Sequence, residues 1–162
     1  MDVQTIADRT RIPVRKVRYV LDHRLLPGLR TKSDDERVGH PRVFIDSEVL
    51  GIACAAALLE GGVKRDLVVS FLDFLVSYNV RSTPKRQRKH VSAYEEAFIS
   101  NSSKIEAMVG DTVNMRIRID DWDSGWIQPR TFAPLKDFHP RVTIQVDLAA
   151  LKEALFPPAK SR

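Results

Sequence analysis

The chain has little cysteine and no long apolar run. Cys54 is the one cysteine in 162 residues, which excludes an intramolecular disulfide framework and a zinc site built from several cysteines. The longest apolar run, Val49 to Leu59, is interrupted by Gly51 and is far shorter than the roughly 20 residues of a membrane span. The N-terminus has no apolar stretch behind a basic one, so we identify no signal peptide. These absences predict a cytoplasmic protein.

What the chain does contain is enough apolar material for a core. Apolar residues make up 43% and charged residues 29% of the sequence. A mainly disordered chain would be poorer in apolar residues. The length fits one ordinary domain or two small ones.

Positive charge is concentrated in the N-terminal part. The formal net charge is +5, and residues 1–90 hold 17 basic against 11 acidic side chains, whereas residues 91–162 hold 9 against 10. A basic part beside a near-neutral part predicts a polyanionic partner for the first, although a merely solvated basic surface would give the same numbers.

Two short helices joined by a tight turn are predicted at the N-terminus. They cover residues 3–10 and about 14–23. In the second helix Val14, Val17 and Leu21 recur at helical spacing and form an apolar stripe. The side chains largely off this stripe are polar or charged: Arg15, Lys16, Arg18, Tyr19 and Asp22. This pattern is typical of a helix-turn-helix with a basic second helix.

A wing and two further helices are predicted next. The polar stretch 29–41 is followed by the β-prone segment 42–45, which indicates a hairpin wing. A third helix, about 47–60, is apolar on most faces and should be the most buried helix, with Asp46 or Ser47 as its cap. A fourth helix is predicted at roughly 64–78.

The remainder is predicted to be a second module. We place a winged helix-turn-helix DNA-binding domain at 1–79, a basic linker at 80–90, and a small α+β module for dimerisation or partner binding at 91–162. The fold class is therefore α+β, with a mainly helical first part. Within the second module we expect a moderately helical segment over 91–109, which Asn101-Ser102-Ser103 can split. Strands are expected over 113–119, 125–131 and 142–146, where apolar residues largely alternate, and a closing helix over 148–155.

The N-terminal arrangement resembles the MerR family of winged helix-turn-helix regulators. The matching segments run in the same order over about residues 3–75: Thr5-Ile6-Ala7, Ile12 to Tyr19, Leu25-Leu26-Pro27, Gly39 to Phe44, the Asp46-to-Leu59 helix and Gly62-Val63. The resemblance implies a sequence-specific, double-stranded DNA-binding transcriptional regulator. It covers a little under half of the chain.

Seven residues are candidates for DNA contact. Arg15 and Lys16 lie near the start of the second helix, from which side chains reach base edges in the major groove. By resemblance, Arg18 and Tyr19 match a phosphate-binding Arg-Tyr pair. Arg42 matches a wing arginine that contacts the DNA backbone, and Phe44 replaces the usual tyrosine and should only pack. Lys32 and Arg37 in the wing are candidates for contact with the minor groove or phosphates, although the acidic run 34–36 in the same loop favours exposure to solvent.

Several features depart from that family. A basic segment with a proline stands where members have a long dimerisation helix, and Cys54 lies in an apolar helix, where a thiol acts as a small hydrophobe. We therefore do not extend to this chain the family's activation of transcription by DNA untwisting. Simple repression or an architectural role remains open. We expect the C-terminal module to dimerise the protein, and the homodimer to bind a palindromic operator, because two symmetric half-sites require a protein with two-fold symmetry.

Other classes of function fit the sequence less well. No phosphate-binding glycine loop, nucleophile elbow or metalloprotease helix occurs, so we expect no enzyme, no catalytic residue and no cofactor. A metal at Asp120, Asp121, Asp123 and His139 matches no motif, and none is predicted. Two alternatives remain within a bacterial or phage-type nucleoid setting. One is an excisionase that bends DNA and recruits an integrase, and the other is a regulator controlled by a protein bound to residues 91–162.

Overall fold

A computed structural model of the chain describes residues 1–27, 43–81, 90–99, 103–109, 113–118, 126–129 and 139–158. These residues form helices together with an antiparallel sheet, which confirms the mixed α+β class. In chain order the elements are α1 (Val3–Thr10), α2 (Val14–Asp22), α3 (Asp46–Glu60), α4 (Arg65–Ser77), β1 (Asn79–Arg81), β2 (His90–Ser92), α5 (Ala93–Ile99), β3 (Lys104–Val109), β4 (Val113–Arg118), β5 (Trp126–Ile127), β6 (Val142–Asp147) and α6 (Leu148–Leu155).

Helices α1 and α2 are joined by a three-residue turn, as the sequence predicts. α1 begins where a carboxylate oxygen of Asp2 accepts a hydrogen bond from the backbone N–H of Thr5 at 2.8 Å. This bond caps the helix and lowers the pKa of Asp2. α1 ends at Arg11, whose φ of 58° lies in the left-handed region, and Pro13 then leads into α2. The reversal lets α1 and α2 pack together.

Helix α3 is the centre of the core. Ten of its fifteen residues are buried, as its apolar sequence predicts, and it contacts α1, α2, α4, α5, α6 and β6. The cap differs from the prediction, which placed it at Asp46 or Ser47. The helix starts after Ile45, whose N–H donates to the Glu48 carboxylate at 3.2 Å, because this side chain reaches back to the first unpaired backbone donor.

The ends of the segment predicted as a linker belong to a β-ribbon. β1 and β2 pair antiparallel, with Asn79 opposite Ser92. The N–H of Ala93 also donates to the carbonyl of Tyr78 at 2.8 Å, so the ribbon connects the end of α4 to the start of α5. The basic run 82–89 lies outside the described residues.

The main sheet has four antiparallel strands in the order β5-β4-β3-β6. In the central strand, Ile105 lies opposite Ile117 of β4 and Val146 of β6. The prediction of helix over 91–109 is therefore wrong for its second half. Pairing on both sides, with Ile105 and Ala107 buried on one face, outweighs local helix propensity there.

The other C-terminal elements occur in the predicted order. The strands expected over 113–119 and 142–146 correspond to β4 and β6, and the closing helix corresponds to α6. Of the strand expected over 125–131, β5 covers Trp126–Ile127.

The C-terminal elements pack against the N-terminal helices. Tyr94 of α5 donates its hydroxyl hydrogen to the carbonyl of Ser47 in α3 at 3.0 Å. The hydroxyl lies over Gly51, where a Cβ atom would be 2.0 Å from it. Burial of the Tyr94 phenol raises its pKa. A glycine is thus required in α3 for the close approach of α5.

Two further contacts bring the sheet and α6 onto the first helices. Ile144 of β6 lies against the end of α3, so that a Cβ at Gly61 would be 2.7 Å from the Ile144 Cγ2. Arg9 of α1 donates to the carbonyl of Leu155 at the end of α6. Buried residues from both parts of the chain form a single core cluster. The division into modules at 1–79 and 91–162 stays a prediction.

Candidate nucleic-acid interface

Helix α2 has one buried and one exposed face. Val17 and Val20 are fully buried, while Val14 and Leu21 are half-buried beside them. The apolar face is therefore centred on Val17 and Val20. It is rotated slightly about the helix axis from the predicted stripe, which did not include Val20. The exposed side chains are Arg15, Arg18, Tyr19 and, at the end of the helix, Asp22. Spacings of three and four residues place them in one continuous strip.

The size of α2 suits a DNA groove. Its nine residues give a length of about 13 Å at 1.5 Å per residue. The major groove of B-DNA is about 12 Å wide and admits a helix. Arg15 and Arg18 are exposed, and within the described ranges neither guanidinium is hydrogen-bonded or ion-paired. Both groups are thus available to an external anion.

Lys16 has a partner within the protein. Its ammonium donates to the carbonyl of Leu59 at 3.2 Å and lies 3.8 Å from the carboxylate of Glu60. These residues form the last turn of α3, where unpaired carbonyls and the helix dipole favour a cation. Lys16 therefore stabilises the junction between α2 and α3. Its contact with DNA bases stays a prediction.

Tyr19 connects α2 to the start of α4. Its side chain is 37% exposed, and its ring lies on His23 with the centroids 4.1 Å apart. Arg65 lies beside it. The Asp66 carboxylate, which accepts from Arg65 Nε at 3.1 Å, raises the pKa of Arg65, and the nearby Tyr19 hydroxyl raises it further.

The pair of Tyr19 and Arg65 is suited to a phosphate. A phenol hydroxyl has two acceptor sites and one hydrogen to donate, so the Tyr19 hydroxyl beside Arg65 can donate that hydrogen to another oxygen. A guanidinium has five N–H groups, of which Asp66 engages one at Nε. Sequence reasoning missed Arg65. Its only signal was a basic pair, Lys64-Arg65, shortly after the Gly61-Gly62 turn.

The wing candidates Arg42, Lys32 and Arg37 lie outside the described residues, and the winged form of the domain stays a prediction. Phe44, at the end of the predicted wing, is described. It is 2% exposed, as expected for a residue that packs. Its backbone N–H donates to the carbonyl of Met1 at 3.0 Å, which holds this part of the chain beside the start of α1.

Cys54 and the described acidic residues do not form a second site. Cys54 is buried, and desolvation raises the pKa of its thiol to about 12, so its thiolate is strongly disfavoured at neutral pH. In the described part of the chain no three His, Cys, Asp or Glu side chains are grouped to hold a metal. Asp120, Asp121 and Asp123 lie outside that part. None of the described helices has the length and apolarity needed to cross a membrane.

The sheet carries an aromatic and charged cluster on its other face. Arg116 donates to the carboxylate of Glu106 at 2.7 and 2.9 Å and stacks on the ring of Trp126 at 4.1 Å. This guanidinium is held by a fork to one carboxylate oxygen and by a cation–π contact. The contacts give Trp126 a partner within the protein.

Comparisons with protein-family models, with curated proteins and with solved structures found no match to this chain. Its function is therefore inferred from the residues and their geometry.

Proposed function

We propose that the protein is a sequence-specific double-stranded DNA-binding regulator that inserts α2 into the major groove and binds its operator as a homodimer. One observation carries the proposal. A tight turn presents a short helix whose apolar face is buried and whose exposed strip contains Arg15, Arg18 and Tyr19, with Arg65 beside it.

The roles of these residues are assigned from their positions on α2. Arg15 lies in the first turn of the helix, where a guanidinium reaches base edges and binds guanine O6 and N7 with two hydrogen bonds. Arg18 lies one turn further and is assigned to the DNA backbone. Tyr19 and Arg65 together donate to one phosphate. Lys16 orients α2 by donating to the carbonyl of Leu59. Its ammonium can contact DNA only after this hydrogen bond breaks.

The test begins with genome-wide footprinting of the full-length protein, which supplies an operator. Binding of that operator by purified variants is then measured by fluorescence anisotropy over a range of salt concentrations. Arg15→Ala should relax specificity at one base position, at a cost of roughly 1–3 kcal/mol on the preferred base. Arg65→Ala should weaken binding to all sequences similarly and reduce the salt slope by about one.

Arg118→Ala is the matched control. It removes the same charge from an exposed position on β4, outside the helix-turn-helix, and should leave affinity and slope unchanged. Equal affinities of wild type and Arg15→Ala for every duplex would exclude the groove assignment. Equal salt slopes for Arg65→Ala and Arg118→Ala would exclude the phosphate contact.

The excisionase alternative makes a different prediction for the same footprinting. Sites at attachment regions, in place of promoters, would favour a recombination factor. The direct packing of β6 and α6 on the first helices favours the third possibility, control by a partner, because a protein bound to the sheet would contact elements that support α2.

A further inference from the structure

In the part of the chain that the structure describes, strand β6 pairs with another strand along one edge and not along the other. It pairs with β3 along all six residues, from Lys104 opposite Asp147 to Val109 opposite Val142. Among the described strands none pairs with its other edge. Solvent reaches the side chains on both faces of the strand, since Val142 is 54% exposed and Thr143 and Gln145 are also exposed.

Within the described residues, this edge lacks two common protections against pairing, lysine and proline. Natural proteins cover an open edge or place lysine, proline or a bulge on it. β6 reads Val-Thr-Ile-Gln-Val-Asp, with neither lysine nor proline. Its register against β3 is unbroken over these six residues, and the N–H of Arg141, just before the strand, also donates to the carbonyl of Val109 at 2.7 Å. The opposite edge strand, β5, has only two residues. β6 is therefore the edge on which a further strand can form.

The direction of the backbone groups along β6 is set by the register. The N–H of Leu148 donates to the carbonyl of Ser103 at 3.0 Å. Leu148 and every second residue before it therefore direct their backbone N–H and C=O groups toward β3. The residues between them, Thr143, Gln145 and Asp147, point theirs away from the sheet. These three residues define where an added strand must pair.

We propose that β6 pairs antiparallel with β6 of a second copy of this chain, about a two-fold axis at Gln145, so that the two sheets become one. In this register Gln145 faces Gln145 of the second copy, and Thr143 faces Asp147. The only charges within the paired strands thus avoid each other. On the other face Ile144 lies opposite Val146, so apolar side chains meet apolar side chains.

The pairing supplies a defined set of bonds. Gln145 exchanges two hydrogen bonds with its counterpart, and the N–H of each Asp147 donates to the opposite Thr143. Asp147 also caps α6, accepting from the N–H of Ala150 at 3.0 Å, so its carbonyl belongs to the helix. About four hydrogen bonds therefore cross the axis.

The occupant is a second copy because the strand is self-complementary. The inference deepens the homodimer of the proposed function and depends on that function only for the palindromic operator. The pairing itself is measured without DNA, by sedimentation equilibrium of the full-length protein. Wild type is expected to be a dimer.

Two kinds of variant test the register. Gln145→Pro removes an N–H that points away from β3, and proline is tolerated at such edge positions. This variant should be a monomer with the circular dichroism of wild type. Gln145→Lys and Gln145→Glu each place like charges across the axis. Each should weaken its own dimer about two- to fivefold, and a 1:1 mixture should form a heterodimer tighter than either.

The charge pair keeps the test valid if the proline variant does not fold. A wild-type monomer at the highest attainable concentration, an undiminished dimer of Gln145→Pro, or the absence of preferential heterodimers would each overturn the proposal. A monomer that still binds its operator would leave the DNA-binding function standing. A protein that dimerises through β6 but binds no operator would exclude the proposed function and leave the proposed interface standing.

Discussion

Replacing Gly51 by alanine should destabilise the protein, although alanine is the better residue for a helix. Gly51 lies inside α3 and is buried. In an open helix the substitution would stabilise by about 1 kcal/mol. Here the new methyl group would lie 2.0 Å from the Tyr94 hydroxyl and 2.6 Å from Leu26 Cδ1. Real Cβ atoms do not occupy such positions, so the neighbours must move.

The magnitude depends on which neighbour moves. Overpacking in a core typically costs about 1–3 kcal/mol. Displacement of Tyr94 also breaks its bond to the Ser47 carbonyl, worth about 1 kcal/mol. After the propensity gain is subtracted, Gly51→Ala should lower the free energy of unfolding by about 1–3 kcal/mol. For a chain of this length each kcal/mol corresponds to roughly 2–4 °C in Tm.

A double-mutant cycle separates steric conflict from other causes. Tyr94→Phe removes the oxygen at 2.0 Å and with it the bond to Ser47. In the Gly51→Ala, Tyr94→Phe double variant the two Leu26 methyl groups stay close, at 2.6 and 3.1 Å, but they are the end of a flexible side chain. The double variant should therefore be more stable than the sum of the single effects by at least about 1 kcal/mol. Additive effects in urea unfolding, or a Gly51→Ala protein more stable than wild type, would refute the packing of α5 on α3.

Two further predictions concern buried groups. Burial raises the pKa of Cys54 in the folded state to about 12 against an ordinary value of 9.0, so the thiol contributes stability that is complete below pH 9.0 and is lost as the pH rises towards about 12. Cys54→Ala should therefore make the free energy of unfolding, measured with urea, fall less steeply with alkaline pH. An unchanged dependence on pH would contradict this prediction. Asn114 is 1% exposed in β4, and no described residue bonds its amide. Asn114→Leu should therefore raise the free energy of unfolding by about 1–3 kcal/mol, whereas a less stable variant would show that the amide is satisfied.

The helices were predictable because their signal is local. Val3–Thr10 and Leu148–Leu155 were expected with the bounds that the structure has, and α3 was expected to be the most buried helix. In these segments the period of the apolar residues agrees with the local propensity. The strand β3 was not predictable in the same way, since its pairing partners lie elsewhere in the chain.

The candidate interface was predictable only in part. The spacing along α2 is enough to expose Arg15, Arg18 and Tyr19. It does not show that Lys16 binds the carbonyl of Leu59, or that Arg65 lies beside Tyr19, because both contacts join residues more than forty positions apart. A basic residue on a helix can be assigned to DNA or to the protein only when the tertiary neighbours are known.

The last turn of α3 connects the proposed DNA-binding helix to the proposed dimer strand. On one side Lys16 of α2 donates to the carbonyl of Leu59. On the other, Ile144 of β6 packs against Gly61, two residues later, with no room for a Cβ atom. Because interiors are close-packed and transmit small displacements, a shift of β6 on pairing must be accommodated at the turn that Lys16 holds. A thermodynamic cycle would test this connection. If Lys16→Met and Gln145→Pro change operator affinity independently of each other, dimerisation and the orientation of α2 are not coupled through α3.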